Sequence, residues 1–457
     1  MGNEGIMRRK SVDDLICVSN DKPKTLGLFD LTIMGIGAII GTGILVLTGI
    51  VAATDAGPGV IYSFLIAALA SCLIGLCYSE LTTTIPSSGS AYVYSWITMG
   101  EQVAFLSGWT LLGVYITTTA TVATGWTGYF TSFLRGVGIN LPDSLTLSPF
   151  NGGVINLPAV IIVLLITLLL THGMSDSKNV NNFLVLVKIG IIVLFVIVGA
   201  FHVNTANWHP FLPYGVRGIF TGSATVFFSF LGFDALATSA EDCKHVQKNL
   251  PIAIIASLTI STILYIIVSL VMTGDVKYNL LNVPEAMSFT LNEINQPLVA
   301  QIVSVGAILG ILAVILAFIY AASNIAMSMS RGGFLPKMFS HLNPNTHTPN
   351  GSLWLIGLIT AVCAGLLNLK NLATFANAGS LCIFFIISVA VLLLRKQRPD
   401  LERPFKVPFG KVIPVASAIV CVVLLMNLPL SAWMNYIGWL FIGVLLYLGY
   451  SKKHVTY

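Results

Sequence analysis

Charge is what this chain has least of. Lys, Arg, Asp and Glu make up 9% of its 457 residues, 56% are hydrophobic, and mean hydropathy is +0.88. Soluble domains carry about a quarter charged residues, so a water-facing globular surface is excluded. Nucleotide-driven pumping has no support, because no GxxxxGK[ST] run is present. The seven cysteines form no CxxC pair, so neither structural disulfides nor a thiolate metal site is expected. The histidines include no i+3 or i+4 pair, the spacing a helical metal site would need. Arg8, Arg9 and Lys10 lead into a polar stretch, so no cleavable signal is expected, and Ile6 stands where a myristoylation motif has Ser or Thr. No nucleophile stands with a base and no metal cluster is visible, so the sequence does not read as an enzyme, and no cofactor is expected.

What the chain does have is length between charges. Twenty-four uncharged residues separate Asp30 from Asp55, 33 separate Glu101 from Arg135, and 40 separate Lys411 from Lys452. Each gap is long enough to cross a bilayer, and the last is long enough to cross twice around Asn427-Leu428-Pro429. The reading is an all-α polytopic membrane protein with twelve spans, near 29–53, 59–84, 102–133, 157–173, 180–201, 218–240, 251–274, 298–330, 351–367, 372–394, 412–428 and 433–451. With the N-terminus inside, 18 of the 23 basic residues face the cytosol. Only Arg135, Arg217, Lys277 and Lys370 fall outside, so the net charge of +5 reads as topogenic bias and not as a nucleic-acid surface. The expected organisation is a cytosolic tail (1–28), a ten-span core (29–395), a basic cytosolic loop (396–411), two further spans (412–451) and a short tail (452–457). Both termini are cytosolic in this reading, and the expected location is the cell membrane.

Lys188 remains, inside the apolar stretch Val180–Phe201. About ten residues beyond Lys178, it lies about 15 Å deep, near the middle of a roughly 30 Å hydrocarbon core. An ammonium there must be paired, neutralised or turned to a polar cavity. Snorkelling to the interface is the alternative, though the stem is short for that depth. Burial disfavours the charged form of an amine, so a lysine so placed can gain and lose a proton in use. That favours a proton-coupled machine.

Two spans carry signs of interruption. The first reads Gly35-Ile-Gly-Ala-Ile-Ile-Gly41-Thr42-Gly43-Ile44, with four glycines in nine residues. Close helix packing through small faces is one explanation. Unwinding is the other, and the bilayer tolerates it only where freed backbone lines a cavity. The sixth span holds Gly232 and the deep Asp234 in Phe227-Phe228-Ser229-Phe230-Leu231-Gly232-Phe233-Asp234. For Asp234 a cap, or a partner for a nearby donor, is the plain structural role. Breaks in the first and sixth spans, five apart, are what two inverted five-helix repeats with a site between them would produce.

The GIGAIIGTGI stretch, Ala56-Gly57-Pro58, Cys77-Tyr-Ser-Glu80, Pro86-Ser-Ser-Gly-Ser-Ala-Tyr92, FFSFLGFD, Arg331 in SRGGFLP and Arg403-Pro-Phe-Lys-Val-Pro408 together resemble the amino acid–polyamine–organocation superfamily. The nearest branch is that of bacterial permeases related to cationic amino acid transporters, and the likeness runs from about Leu26 to Tyr450. It implies a LeuT-like fold of ten core helices plus two, working by alternating access. In that branch a lysine of the fifth helix stands in for a sodium ion and is thought to couple transport to protons, and Lys188 falls there.

A zwitterionic amino acid needs an anion site and a cation site. Freed N–H groups near Ile40, Thr42 and Gly43, at a half-helix N-terminus, suit the carboxylate. The carbonyls of Ile39, Phe228, Ser229 and Leu231, beside Gly232, suit the ammonium. In the third helix Val114 stands where the family segment carries a glutamate, and Thr110 where Asp is usual. In the eighth, Asn324 stands where Arg is common. Without the glutamate, neutral apolar substrates such as branched-chain amino acids are expected over arginine or lysine, unless Val114 faces lipid or core. Glu80 is expected to cap or brace the Pro86–Tyr92 loop. Glu241-Asp242 opens the next loop, where His245-Val246-Gln247 departs from the relatives' Asn-Pro-Gln. Trp109 and Trp126 read equally as packing, belt or ligand residues. The sequence thus reads as a proton-coupled importer of neutral amino acids whose partners are the substrate, protons and lipid. A cationic amino acid transporter or exchanger is the alternative, and a channel or a sensor on the same scaffold is the rival class.

Overall fold

The computed structural model describes residues 26–85, 90–172, 178–234, 236, 243–343 and 348–455. Residues 1–25 of the tail, Pro86–Gly89 of the expected loop, and Glu241-Asp242 lie outside that set. Among the described residues the chain is helical, with no strand beyond one isolated bridge between Leu26 and Cys243. Seven helical stretches are long and apolar enough to cross a membrane, and three shorter apolar helices fall among them. The protein is an all-helical, polytopic membrane protein.

In chain order the main helices are α1 (Leu28–Ile39), α2 (Val60–Thr84), α3 (Ser90–Met99), α4 (Glu101–Gly136), α5 (Leu157–Thr171) and α6 (Lys178–Ala200). They continue with α7 (Gly215–Val226), α8 (Val246–Asp275), α9 (Ala286–Glu293), α10 (Pro297–Arg331), α11 (Asn350–Leu366), α12 (Leu369–Gln397), α13 (Val412–Met426) and α14 (Leu430–Leu446). Side-chain caps start several of them where orphan N–H groups would otherwise be left. Asn156 accepts from Ala159 N at 3.2 Å at the head of α5, and Asn368 from Asn371 N at 2.7 Å at the head of α12. Two short helices, α3 and α9, have no counterpart among the expected spans, because ten and eight residues leave too little periodic signal to stand out.

The apolar residues are not confined to the core as they would be in a soluble protein. Phe183 and Ile197 on α6, and Met434 and Phe441 on α14, are exposed, whereas Ser and Thr side chains crowd the interior. Lipid tails are as apolar as leucine, so outward apolar faces cost nothing, and small residues and hydrogen bonds add to an apolar core in holding the helices together. The 36-residue α4 lies at the centre, packed against α10, α12, α11 and α5. Trp109 of α4 stacks on Trp439 of α14 at 4.5 Å, and each indole donates to the other's backbone carbonyl, at 2.8 and 2.9 Å. Trp126 stacks on Phe130. Both tryptophans are packing residues.

Glu80, near the end of α2, is 2% exposed. It accepts from Arg395 Nε at 2.7 Å and Nη2 at 2.5 Å, and from Val407 N at 2.7 Å. These contacts tie α2 to the end of α12 and to the 396–411 loop; Pro86–Gly89, which Glu80 is expected to brace, lie outside the described residues. A bidentate pair with a third donor meets the conditions for a buried charge to be held. Glu80→Ala strips Arg395 of its carboxylate, leaving it the Gly410 carbonyl, removes the partner of Val407 N, and is expected to cost about 3–5 kcal/mol. Thermal melting of the purified protein in detergent measures this; an unchanged midpoint would mean the clamp carries no stability.

Candidate functional site

α1 stops at Ile39, Ile40 is extended at ψ 101°, and helix resumes as a π-turn over Gly43–Leu47. The break thus falls at Ile40–Gly41, on the first glycine of the Gly-Thr-Gly run. A helix that ends leaves its last carbonyls without intrahelical partners. The ammonium of Lys188, 3% exposed on α6, donates to one of them, Gly37 O, at 2.9 Å. The lysine stem reaches it over Gly310 of α10, where an added Cβ would stand 2.6 Å from Lys188 Cγ. Snorkelling is therefore not what Lys188 does.

The second break is built differently. α7 tightens into a 3-10 turn over Phe227–Phe230, Leu231 is extended, and Gly232 takes φ +115°, which favours glycine. A Cβ on Gly232 would also stand 2.6 Å from Ala38 O, so the glycine is what lets this backbone lie against the end of α1. Asp234 accepts from Gly232 N at 3.2 Å and from the Tyr115 hydroxyl of α4 at 3.3 Å. It is the buried partner that fixes the break. Gly43 and Ser229 meet across the two breaks, where an added Cβ on Gly43 would lie 2.5 Å from Ser229 Cα.

The expected carbonyls are only partly open. Tyr265 of α8 reaches Ile39 O at 2.9 Å and Ser229 O at 2.7 Å, so one hydroxyl proton is shared between the two broken segments. Phe228 O accepts from Leu231 N at 3.1 Å. Asn377 of α12 donates to Ala224 O and Thr225 O at 2.8 and 3.0 Å, taking carbonyls at the end of α7. Sequence reasoning named neither Tyr265 nor Asn377. The available signal was a lone hydroxyl or amide deep in an apolar helix. Thr42 Oγ1 and Ser229 Oγ are buried and lack a hydrogen-bond partner.

Val114 lies 3% exposed on α4 and packs against Gly379 of α12, and the neighbouring Thr110 pairs with the Tyr436 hydroxyl at 3.2 Å. It faces a protein neighbour, not lipid. Toward the chain's other face, Lys370 at the start of α12 holds Asp55 at 3.1 Å and Thr54 Oγ1 at 3.0 Å, just beyond the first break's distal segment. The arrangement brings together Ile39, Gly43, Ser229, Gly232 and Asp234, with Lys188 tied to the same break. Val114 immediately precedes Tyr115, the α4 residue that holds Asp234.

The family model for amino acid permeases matches residues 26–448. The methylthioribose transporter of Bacillus subtilis is 46% identical over 453 residues, covering 98% of each chain. The branched-chain amino acid permease BcaP of the same organism is 43% identical over 459 residues, again covering 98% of each. The vacuolar cationic amino acid transporter 4 of Arabidopsis thaliana is 35% identical over 407 residues, 86% of this chain and 68% of that one.

At the Gly43–Ser229 contact the obstacle to a side chain is backbone. Gly43→Val is therefore expected to abolish substrate binding, read by thermal shift, while the protein still inserts and purifies. Gly232→Ala adds a strained φ to the clash with Ala38 O and is expected to do the same. Unaltered affinity in Gly43→Val would place the substrate elsewhere.

Proposed function

This chain belongs to the amino acid permease family, in the bacterial branch related to cationic amino acid transporters, and on that footing we propose that it is a proton-coupled importer of small neutral solutes, branched-chain amino acids foremost. It is an integral membrane transporter and not an enzyme. In the proposed arrangement twelve spans form two inverted five-helix repeats plus two helices, with a LeuT-like core and alternating access. The Lys/Arg distribution supports cytosolic termini and the cell membrane.

The observation that carries the coupling is the Lys188–Gly37 contact. A cationic side chain occupies the carbonyl that the first break releases, where the helix end favours positive charge, in keeping with the family resemblance in which a lysine here stands in for a sodium ion. The substrate carboxylate then takes the N–H groups of Thr42 and Gly43, and the ammonium competes with Tyr265 for Ile39 O and Ser229 O or takes Leu231 O. Lys188→Ala is expected to abolish concentrative, pH-gradient-driven uptake in proteoliposomes while thermal melting still shows a folded protein. Sodium-dependent uptake by the unaltered protein, or full uptake by the variant, overturns this.

Selectivity in this reading rests on Val114 against Gly379. An arginine or lysine side chain loses hydration there without a carboxylate to replace it. Valine, leucine or isoleucine should outcompete arginine in a binding screen, and Val114→Glu should shift preference toward arginine by about tenfold or more, given that buried charge pairs contribute several kcal/mol. A second reading comes from the methylthioribose transporter, 46% identical along its whole length. Methylthioribose has neither carboxylate nor ammonium, so including it in the screen separates an amino acid carrier from a carrier of uncharged sugars. Tighter wild-type binding of arginine than of valine or leucine would defeat the Val114 argument.

A further inference from the structure

Helix α4 carries eight threonines, and seven of them have a partner. Thr117, Thr119, Thr121, Thr124 and Thr127 return their hydroxyls to the carbonyl four residues earlier, at 2.7 to 3.3 Å. Thr131 donates to Gly128 O and Thr110 pairs with Tyr436. Thr118 is the exception: it is 2% exposed and its hydroxyl has no hydrogen-bond partner. The carbonyl it would ordinarily use, Val114 O, already receives the Thr117 hydroxyl at 3.2 Å. A buried hydroxyl without a partner carries an unrecovered desolvation penalty, and back-bonding is the usual remedy in a membrane helix.

Its position gives that vacancy a meaning. At 100° per residue, residues 114, 118, 121 and 125 share one face of α4. At one end of this face, an added Cβ on Gly125 would lie 2.9 Å from Thr42 Cγ2, at the first break. At the other, Val114 abuts Gly379. Tyr115, three residues before Thr118, reaches Asp234 at the second break. Thr118 is thus bracketed along α4 by contacts to both breaks; its hydroxyl is unpaired like those of Thr42 and Ser229 at the breaks, and like that of Ser107 farther along the same face.

We propose that Thr118 is a specificity-determining residue, whose hydroxyl binds a hydroxyl group on the substrate and so admits small neutral substrates that carry one alongside the aliphatic ones. Val114, one turn away, supplies the apolar contact for the remainder of the side chain. The inference rests on the two breaks being the substrate site.

Valine and threonine are isosteres that differ by this one group, and Thr118→Val makes the same exchange in the protein. Binding is read by thermal shift with valine, threonine and methylthioribose, on the full-length wild type, Thr118→Val and Thr118→Ser. Threonine affinity in Thr118→Val should fall about five- to tenfold relative to valine, the size of one hydrogen bond, and Thr118→Ser should restore the ratio. The ligand-free melting temperature of Thr118→Val should stay level or rise, because an unpaired hydroxyl has been replaced by a methyl group. A ratio that stays within twofold, an equal fall for both amino acids, or a lowered ligand-free melting temperature overturns the proposal. If the wild type binds neither amino acid, the amino acid reading has failed. The hydroxyl is then judged on methylthioribose, whose affinity Thr118→Val must lower by the same factor, and an unchanged value overturns it.

Discussion

Backbone polar groups released inside a membrane have no water to turn to, and this requirement organises the centre of the molecule. Each break sets free carbonyls or an amide, and several of the released carbonyls are met from other helices. Gly37 O is met by Lys188 of α6, Ile39 O and Ser229 O by Tyr265 of α8, and the end of α7 by Asn377 of α12. Gly232 N is met by Asp234, which Tyr115 of α4 holds in turn. A helix break in lipid therefore recruits its surroundings. The segments that can bend are also the segments to which four other helices are fastened.

Charge is distributed by the same logic. Outside Lys188 and Asp234, the buried carboxylates with ionic contacts among the described residues lie toward helix ends: Glu80 with Arg395, Asp55 with Lys370, and Glu285 with Arg135. α12 joins the first two, since it begins with Lys370 and finishes near Arg395, and between them Asn377 caps α7. Gly379 lets Val114 of α4 lie directly against it. One helix thus registers the ends of the protein, the second break and the side-chain wall of the proposed site, so displacement of α12 is felt at all of them.

How far the sequence spoke depended on whether a residue's meaning was local. Gly35 to Gly43 and Gly232 announced breaks because glycine weakens any helix, whatever surrounds it, and Lys188 stood out because a charge at that depth needs a reason. Asp234 was legible as a cap. Tyr265 and Asn377 were not, because a hydroxyl or amide in an apolar helix usually back-bonds, and the carbonyls they serve are exposed only once the breaks exist. The clamp of Glu80 on Arg395 was not legible, since the partner lies 315 residues along the chain and no spacing rule reaches it. The short helices α3 and α9 escaped for lack of length. Val114 was singled out from a resemblance, and its contact with Gly379 is a tertiary fact that only the fold supplies.

The two poles of the first break give the proposed coupling a physical form. The end of α1 is a helix C-terminus, with partial negative charge, and there the ammonium of Lys188 sits. The segment that starts at Gly43 presents a helix N-terminus, with partial positive charge, to which a carboxylate is drawn. A protonated Lys188 and a bound carboxylate then face each other across a few residues of unwound chain in a low-dielectric interior, and each favours the other. Linkage makes that preference reciprocal: whatever factor the proton adds to substrate affinity, the substrate adds to proton affinity. The size of this term depends on the substrate bearing a negative charge. A carboxylate-bearing substrate is drawn to the protonated carrier, whereas an uncharged sugar at the same backbone would feel little of it, so the chemistry of the cargo and the strength of its coupling are one question.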